Sequence, residues 1–169
     1  MKAELFDFGL EQRITDIRDR LLIRFGPFPA GILRRPIDAL IKSIISSRTR
    51  DDVSRLAFDN LVRSYPDWSL IPAAGPKAIE AAIAGVTFAD AKASHVIETL
   101  TRIAVRHPDF ALDFLAAEPL SQALVWLQGL PGVGPRVAAA AINFSTLERP
   151  AFVVDTHVLR VLKRFGVLG

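Results

Sequence analysis

Two stretches in the last quarter of this 169-residue chain combine residue types that can do chemistry. The first is Leu130-Pro131-Gly132-Val133-Gly134, in which two glycines flank one small apolar residue. Glycine accepts backbone angles that other residues resist, and it leaves no side chain in front of the backbone N–H groups. Pro135 follows at a position favoured in the first turn of a helix, so the positive end of that helix would point at the same spot. An anion fits such a place, and a nucleic-acid phosphate is its natural form, because it is fully charged and accepts several N–H bonds. Taken alone, a Gly-x-Gly between helices reads first as a tight turn in which glycine serves geometry only. The second stretch is Val153-Val154-Asp155-Thr156-His157-Val158-Leu159-Arg160-Val161. Here Asp155 reads first as an N-cap, since its carboxylate can accept the free N–H groups of the helix that follows. An aspartate fixed in that way can also stabilise positive charge or activate water.

The elements that must position these residues are helices. Apolar residues recur at helical spacing from Gln12 to Phe25 (Ile14, Ile17, Leu21, Leu22) and from Asp38 to Ser46 (Leu40, Ile41, Ile44, Ile45). Asp51 is placed to cap a third helix, with Val53, Leu56, Ala57 and Leu61 inward, which Tyr65-Pro66 stops. Pro76 to Ala84 is short and alanine-rich and closes at Gly85, and Ala89 to His107 reads as a long helix. Ser121 to Gln128, Pro135 to Phe144 and Thr156 to Phe165 complete the set. Only Ala151 to Val154 is β-prone, and it is isolated; no internal repeat, low-complexity tract or linker interrupts the pattern. The expected fold class is all-α.

Composition limits what such a fold can hold. Half of the residues are hydrophobic, enough for a packed core. With no cysteine, the chain can form neither disulfides nor a Cys-ligated zinc site or iron–sulfur cluster. Lys and Arg number 21 against 18 acids, a charge of +3, which permits an anionic partner without requiring one. The distribution is more telling: Arg34, Arg35, Lys42, Arg48, Arg50 and Arg55 fall in one stretch, and Arg160, Lys163 and Arg164 in another. Such clusters also occur as plain solvated helix faces. No segment has the roughly 20 apolar residues that span a bilayer. Residues 1–7 lack the apolar core of an export signal, so a cytoplasmic, nucleoid-associated location is expected.

The string Leu130-Pro-Gly-Val-Gly-Pro135, followed by Arg136 and the small run Val137 to Ala141, resembles the helix-hairpin-helix signature of DNA-repair proteins. Downstream, Val154-Asp155-Thr156-His157 resembles the Val-Asp-Thr-His motif of endonuclease III-like DNA glycosylases. More weakly, the segment from Asp38 to Asp51 is similar to that family's Leu-Ser-x-Gln-x-Thr-Asp segment, and Asp90-Ala-Lys92-Ala to its Lys-Ala segment. Together the matches cover roughly residues 30 to 165.

This resemblance implies two helical lobes with double-stranded DNA and an extruded damaged or mismatched base between them. Residues 28–145 would form the central lobe with the hairpin, and residues 1–27 plus 146–169 a second lobe shortened at its C-terminus. It also implies that Asp155 is the catalytic carboxylate, kept ionised by the N–H groups it caps. Gly132, Val133, Gly134, Arg136, Arg48 and Lys92 would contact DNA. The backbone carbonyls of Gln128, Leu130 and Val133 would hold a monovalent cation, sodium or potassium, beside the bound phosphate. Neither an obligate protein partner nor a membrane is implied.

The chain departs from the family pattern in three places. Lyase members carry a lysine where Arg136 stands, and an arginine that remains protonated cannot form their Schiff base, so a monofunctional glycosylase is expected. Arg48 stands where the family has a glutamine that fills the space left by the flipped base; an arginine there can stack or hydrogen-bond in the same way, and it reads equally well as surface charge. Finally, the helices and four-cysteine cluster found beyond this point in many relatives are absent from the 169 residues, which would leave apolar surface on the second lobe.

The main alternative is a helix-hairpin-helix protein that binds DNA without cutting it; a bifunctional glycosylase/lyase is disfavoured by Arg136. His157 is read as a structural part of its motif, and His95 and His107 lack metal-ligand spacing. Trp68 and Trp126 are read as core or lobe-interface residues, and Phe6, Phe8 and Phe28 as packing residues.

Overall fold

A computed structural model describes residues 2–27, 31 and 33–168, with side chains from residue 9 onward. Phe28, and the side chains of Phe6 and Phe8, lie outside the described residues. Among those described the chain is all-helical. The helices are α1 (Lys2–Phe25), α2 (Pro36–Ser46), α3 (Asp51–Ser64), α4 (Ile71–Ala74), α5 (Pro76–Ala82), α6 (Ala89–Ala104), α7 (Leu120–Gln128), α8 (Pro135–Asn143) and α9 (Thr156–Arg164). Short 3-10 turns lie at Trp68–Leu70 and Asp113–Ala116. The β-prone stretch 151–154 is coil, and the one β-bridge among the described residues joins Arg34 to Ser145. The chain divides into two units, Leu33–Val153 and Met1–Ile32 with Val154–Gly169.

The larger unit is organised around α2. Ile37, Leu40, Ile41, Ile44 and Ile45 are all buried, so this helix is covered on nearly every side, by α3, α6 and α8. Its approach to α8 is set by small side chains: Val137 through Ile142 are all buried, four of them alanines. Burying a Leu or Ile side chain contributes about 1.5–3 kcal/mol, so these five residues fix α2 firmly within the core.

Helix α3 differs from the pattern read in the sequence. Its inward stripe is Ser54, Ala57, Phe58 and Leu61, while Leu56 is 61% exposed. Phe58 buries more apolar area than Leu56 would. Ser54 tolerates full burial because its hydroxyl donates to the Asp51 carbonyl at 3.2 Å and accepts from Lys42 Nζ at 3.0 Å. Asp51 is not the cap of this helix: Arg50 occupies the N-cap without a side-chain capping bond, and Asp51 lies within the first turn. There its charge still favours the positive helix end.

In the smaller unit, α1 carries the expected apolar stripe, but Ile14, Leu21 and Leu22 remain 47%, 41% and 44% exposed. Helix α9 has no buried residue and is capped by Asp155.

Candidate nucleic-acid interface

The hairpin joins α7 to α8 through Gly129–Gly134. Its turn closes with a hydrogen bond from the Val133 N–H to the Leu130 carbonyl at 3.2 Å, around Pro131 and Gly132. Gly132 takes φ +71°, the left-handed region, and a Cβ there would lie 2.8 Å from the His95 ring of α6. The turn is pinned to α6 twice more. Buried Thr99 donates its hydroxyl to the Pro131 carbonyl at 2.9 Å, and Arg102 donates to the Gly129 carbonyl at 3.3 Å.

Gly134 differs from Gly132. It is extended, with φ −89° and ψ 179°, and an added Cβ would meet nothing within 4 Å. Of the two glycines expected to supply unusual backbone angles, only Gly132 does so; the fold gives no reason for the second. Gly134 is the N-cap of α8 and has no side chain to offer as a cap. The first N–H groups of α8 therefore keep their capacity for an outside acceptor.

Arg136, in the first turn of α8, is half-buried and makes no side-chain hydrogen bond or ion pair among the described residues. Gln128 ends α7, where the negative end of the helix favours a cation. The Leu130 carbonyl already accepts from Val133, and a carbonyl oxygen has a second lone pair for another ligand. The Leu130 carbonyl and the end of α7 at Gln128 thus offer oxygen chemistry of the kind a monovalent cation takes.

At the C-terminal end of α2, Arg48 has φ 54° and Phe88 has φ 60°; both are left-handed without being glycine. The Arg48 guanidinium lies over the Phe88 ring, 5.5 Å from its centroid. Arg48 is exposed and Phe88 is 56% exposed. Phe88 was not singled out from the sequence. Its signal was faint: a large aromatic in the loop before α6, at the spot where the helix needed a cap and got none.

Lys92 is 4% exposed, and its three N–H groups go to the Ile45 carbonyl at 2.7 Å, the Ser47 carbonyl at 2.6 Å and Thr49 Oγ1 at 3.0 Å. Burial lowers its pKa to about 8. This placement does not fit the expected direct contact with DNA, because the ammonium is turned inward and its donors are used.

Nor do the remaining residues of the basic cluster form a uniform patch. Arg35 pairs with Asp38, Arg50 with Asp52, Arg34 lies over Phe58, and Lys42 is bonded to Ser54. Trp68 is a core residue whose Nε1 donates to Asp38, and Trp126 packs edge-on to Phe114 and His107. No group of three or more metal-ligating side chains occurs among the described residues.

In the smaller unit, Asp155 Oδ1 accepts from the backbone N–H groups of His157 at 2.9 Å and Val158 at 2.8 Å. The capping reading of Asp155 is therefore met. His157 is exposed, with Nδ1 3.4 Å from Arg160.

The chain belongs to the HhH-GPD superfamily of base excision DNA repair proteins, whose family model matches residues 41–169. It is 30% identical over 130 residues to an Arabidopsis thaliana protein provisionally named a DNA glycosylase, covering 77% of this chain and 44% of that one. It is 31% identical over 136 residues to endonuclease III of Thermotoga maritima, covering 78% and 57% of the two chains. The chain thus spans about half the length of these relatives. In fold it matches endonuclease III trapped as a covalent intermediate with DNA, with a TM-score of 0.76 and 24% identity, over 92% of this chain and 68% of that one.

Proposed function

We propose that this protein is a base-excision DNA glycosylase that hydrolyses the N-glycosidic bond of a damaged or mismatched base in double-stranded DNA. The observation that carries the reading is the fixed carboxylate of Asp155, held by two backbone N–H groups at the start of α9. Glycosylases act on a nucleotide turned out of the stack. As the base departs with the bonding electrons, the sugar gains oxocarbenium character. A carboxylate beside it lowers the energy of that charge and takes the proton of the water that adds to C1′.

DNA would be held through phosphate at Gly132, Val133 and Gly134, with Arg136 as a charged neighbour. Backbone contacts of this kind position a duplex without reading its sequence. A monovalent cation on the carbonyls of Gln128, Leu130 and Val133 would add positive charge beside that phosphate. Arg48 and Phe88 present a cation and an aromatic ring to the base stack, both suited to occupy space left by an extruded base. A lyase step needs a neutral amine to attack the sugar. Arg136 cannot supply one, so the enzyme is monofunctional.

The test is release of free base from duplexes carrying a panel of lesions, for wild type and Asp155→Asn. Release that disappears in Asp155→Asn while binding persists supports the reading. Sound binding with no release on any lesion points instead to a helix-hairpin-helix protein that holds DNA without catalysis.

A further inference from the structure

Four non-glycine residues among those described have positive φ, and two of them, Arg48 and Phe88, are in contact. A left-handed backbone is strained for any residue that carries a Cβ. Phe110, another of the four, is buried in the core, where its packing offsets that strain. Phe88 is mostly exposed, so burial does not hold it in place. Strained residues persist only where the surroundings over-determine them.

What fixes the two loops that carry this pair is a hydrogen-bond network built on the Lys92 ammonium and the Thr49 hydroxyl. Lys92 donates to the Ser47 carbonyl on one side of Arg48 and to the Thr49 hydroxyl on the other. Its own backbone N–H donates to the Phe88 carbonyl at 3.0 Å, the first helical bond of α6. Thr49 Oγ1 also accepts from the Thr87 N–H at 3.1 Å, which ties the loop after α2 to the loop before α6. The Lys92 ammonium therefore holds the Ser47 carbonyl before Arg48 and the Thr49 hydroxyl after it, and through that hydroxyl the N–H of Thr87 beside Phe88.

We infer that Lys92 is a positioning residue, whose buried ammonium sets the Arg48–Phe88 pair as a rigid two-residue probe that opens the DNA stack. This role rests on the glycosylase reading. A lysine that merely satisfies the last carbonyls of α2 would stabilise the fold without affecting base opening in particular. A clamp acts through Arg48 and Phe88 and through nothing else.

The experiment uses a duplex with 2-aminopurine at or beside the base to be extruded, whose fluorescence rises on unstacking. Wild type, Lys92→Met, Thr49→Val, the double variant Arg48→Ala/Phe88→Ala and the triple variant adding Lys92→Met are compared at saturating protein. Affinity is measured in parallel by anisotropy, and cooperative unfolding in urea checks that each variant is folded. Lys92→Met is expected to retain the hairpin-driven affinity within about threefold while losing most of the fluorescence rise. Thr49→Val, which removes one shared acceptor and leaves the lysine, should lose part of it and keeps the question open to measurement if Lys92→Met does not fold. Adding Lys92→Met to the double variant should change little, because the residues act as one unit.

A fluorescence rise equal to wild type in Lys92→Met, or in Thr49→Val if only that variant folds, overturns the role. So does a further loss in the triple variant beyond the double. A wild type that binds and unstacks DNA but releases no base refutes the catalytic reading and leaves the clamp standing. A wild type that binds no DNA overturns both.

Discussion

Gly132 and His95 are so close that a Cβ on the glycine would lie 2.8 Å from both Cγ and Nδ1 of the imidazole. With φ at +71°, this glycine is required twice over, by backbone angle and by the approach of α6. Gly134, two residues on, is required by neither. The two glycines of the motif therefore do different work: one builds the hairpin, and the other leaves its outer surface bare.

That division predicts opposite phenotypes. Gly132→Ala should destabilise the protein by about 1–3 kcal/mol, since it adds both a clash and a strained backbone. Gly134→Ala should stay within about 0.5 kcal/mol of wild type. A bulky residue in its place, as in Gly134→Leu, should weaken binding to unrelated duplexes by a similar factor, because the contact is to phosphate. Urea unfolding and fluorescence anisotropy on several sequences read the two effects. Unchanged affinity in Gly134→Leu would refute the hairpin as the phosphate site.

Thr99 gives a second handle on the hairpin from behind. Its buried hydroxyl donates to the Pro131 carbonyl, the first corner of the turn. Thr99→Val keeps the shape and removes the donor, leaving a carbonyl without this partner. The expected loss is about 1–3 kcal/mol in urea unfolding. A loss below about 0.5 kcal/mol would mean that the turn is held without this bond.

The helices were legible because apolar residues in this chain recur at helical spacing, and Pro36, Pro76 and Pro135 each sit in a first turn. In α3, Ala57 and Leu61 face inward as expected while Leu56 does not; Ser54 joins the buried stripe, since a buried serine looks polar until its partners Lys42 and the Asp51 carbonyl are known. The Trp68–Leu70 and Ile71–Ala74 turns are too short to show a period. At the site, Asp155 and the hairpin glycines carry local signatures, and the structure sets them in a cap and a turn. Lys92 and Phe88 do not. Whether a lysine faces DNA or the interior depends on residues more than forty positions away in sequence, such as Ser47 and Ile45, and no local pattern encodes that.

Asp155 caps α9, and the proposed function also gives it chemistry, so a variant must separate the two roles. Asn caps helices about as well as Asp, whereas Ala loses about 0.5–2 kcal/mol. Asp155→Asn should therefore unfold in urea like wild type yet release no base. Asp155→Ala should lose both stability and release. Base release by Asp155→Asn at the wild-type rate would remove the carboxylate from the mechanism.

Arg136 separates hydrolysis from strand cleavage. Borohydride reduction in the presence of abasic DNA should leave wild type unlinked, because no amine stands at this position. Arg136→Ala should weaken binding evenly across sequences and reduce the slope of log affinity against log salt by about 1. A covalent adduct on any lysine of the wild-type protein would overturn the monofunctional assignment.

The pH dependence of stability isolates Lys92. Burial brings its ammonium from the ordinary 10.5 down to about 8. Between those values the folded chain has released the proton while the unfolded chain still holds it. Raising the pH through that window therefore favours the folded state. Below about 8 both states are protonated, and the folded one bears the full penalty of a buried charge; above 10.5 both are neutral and the penalty is gone. The stability of wild type measured against Lys92→Met should thus rise from pH 8 to 10.5. The three oxygen acceptors around Nζ favour the charged form and oppose the effect of burial. If they outweighed it, the difference would instead fall with pH above the ordinary lysine value. Urea unfolding of the two proteins from pH 8 to beyond 10.5 distinguishes the signs, and a difference that falls above 10.5 would mean that hydrogen bonding, rather than desolvation, governs this lysine.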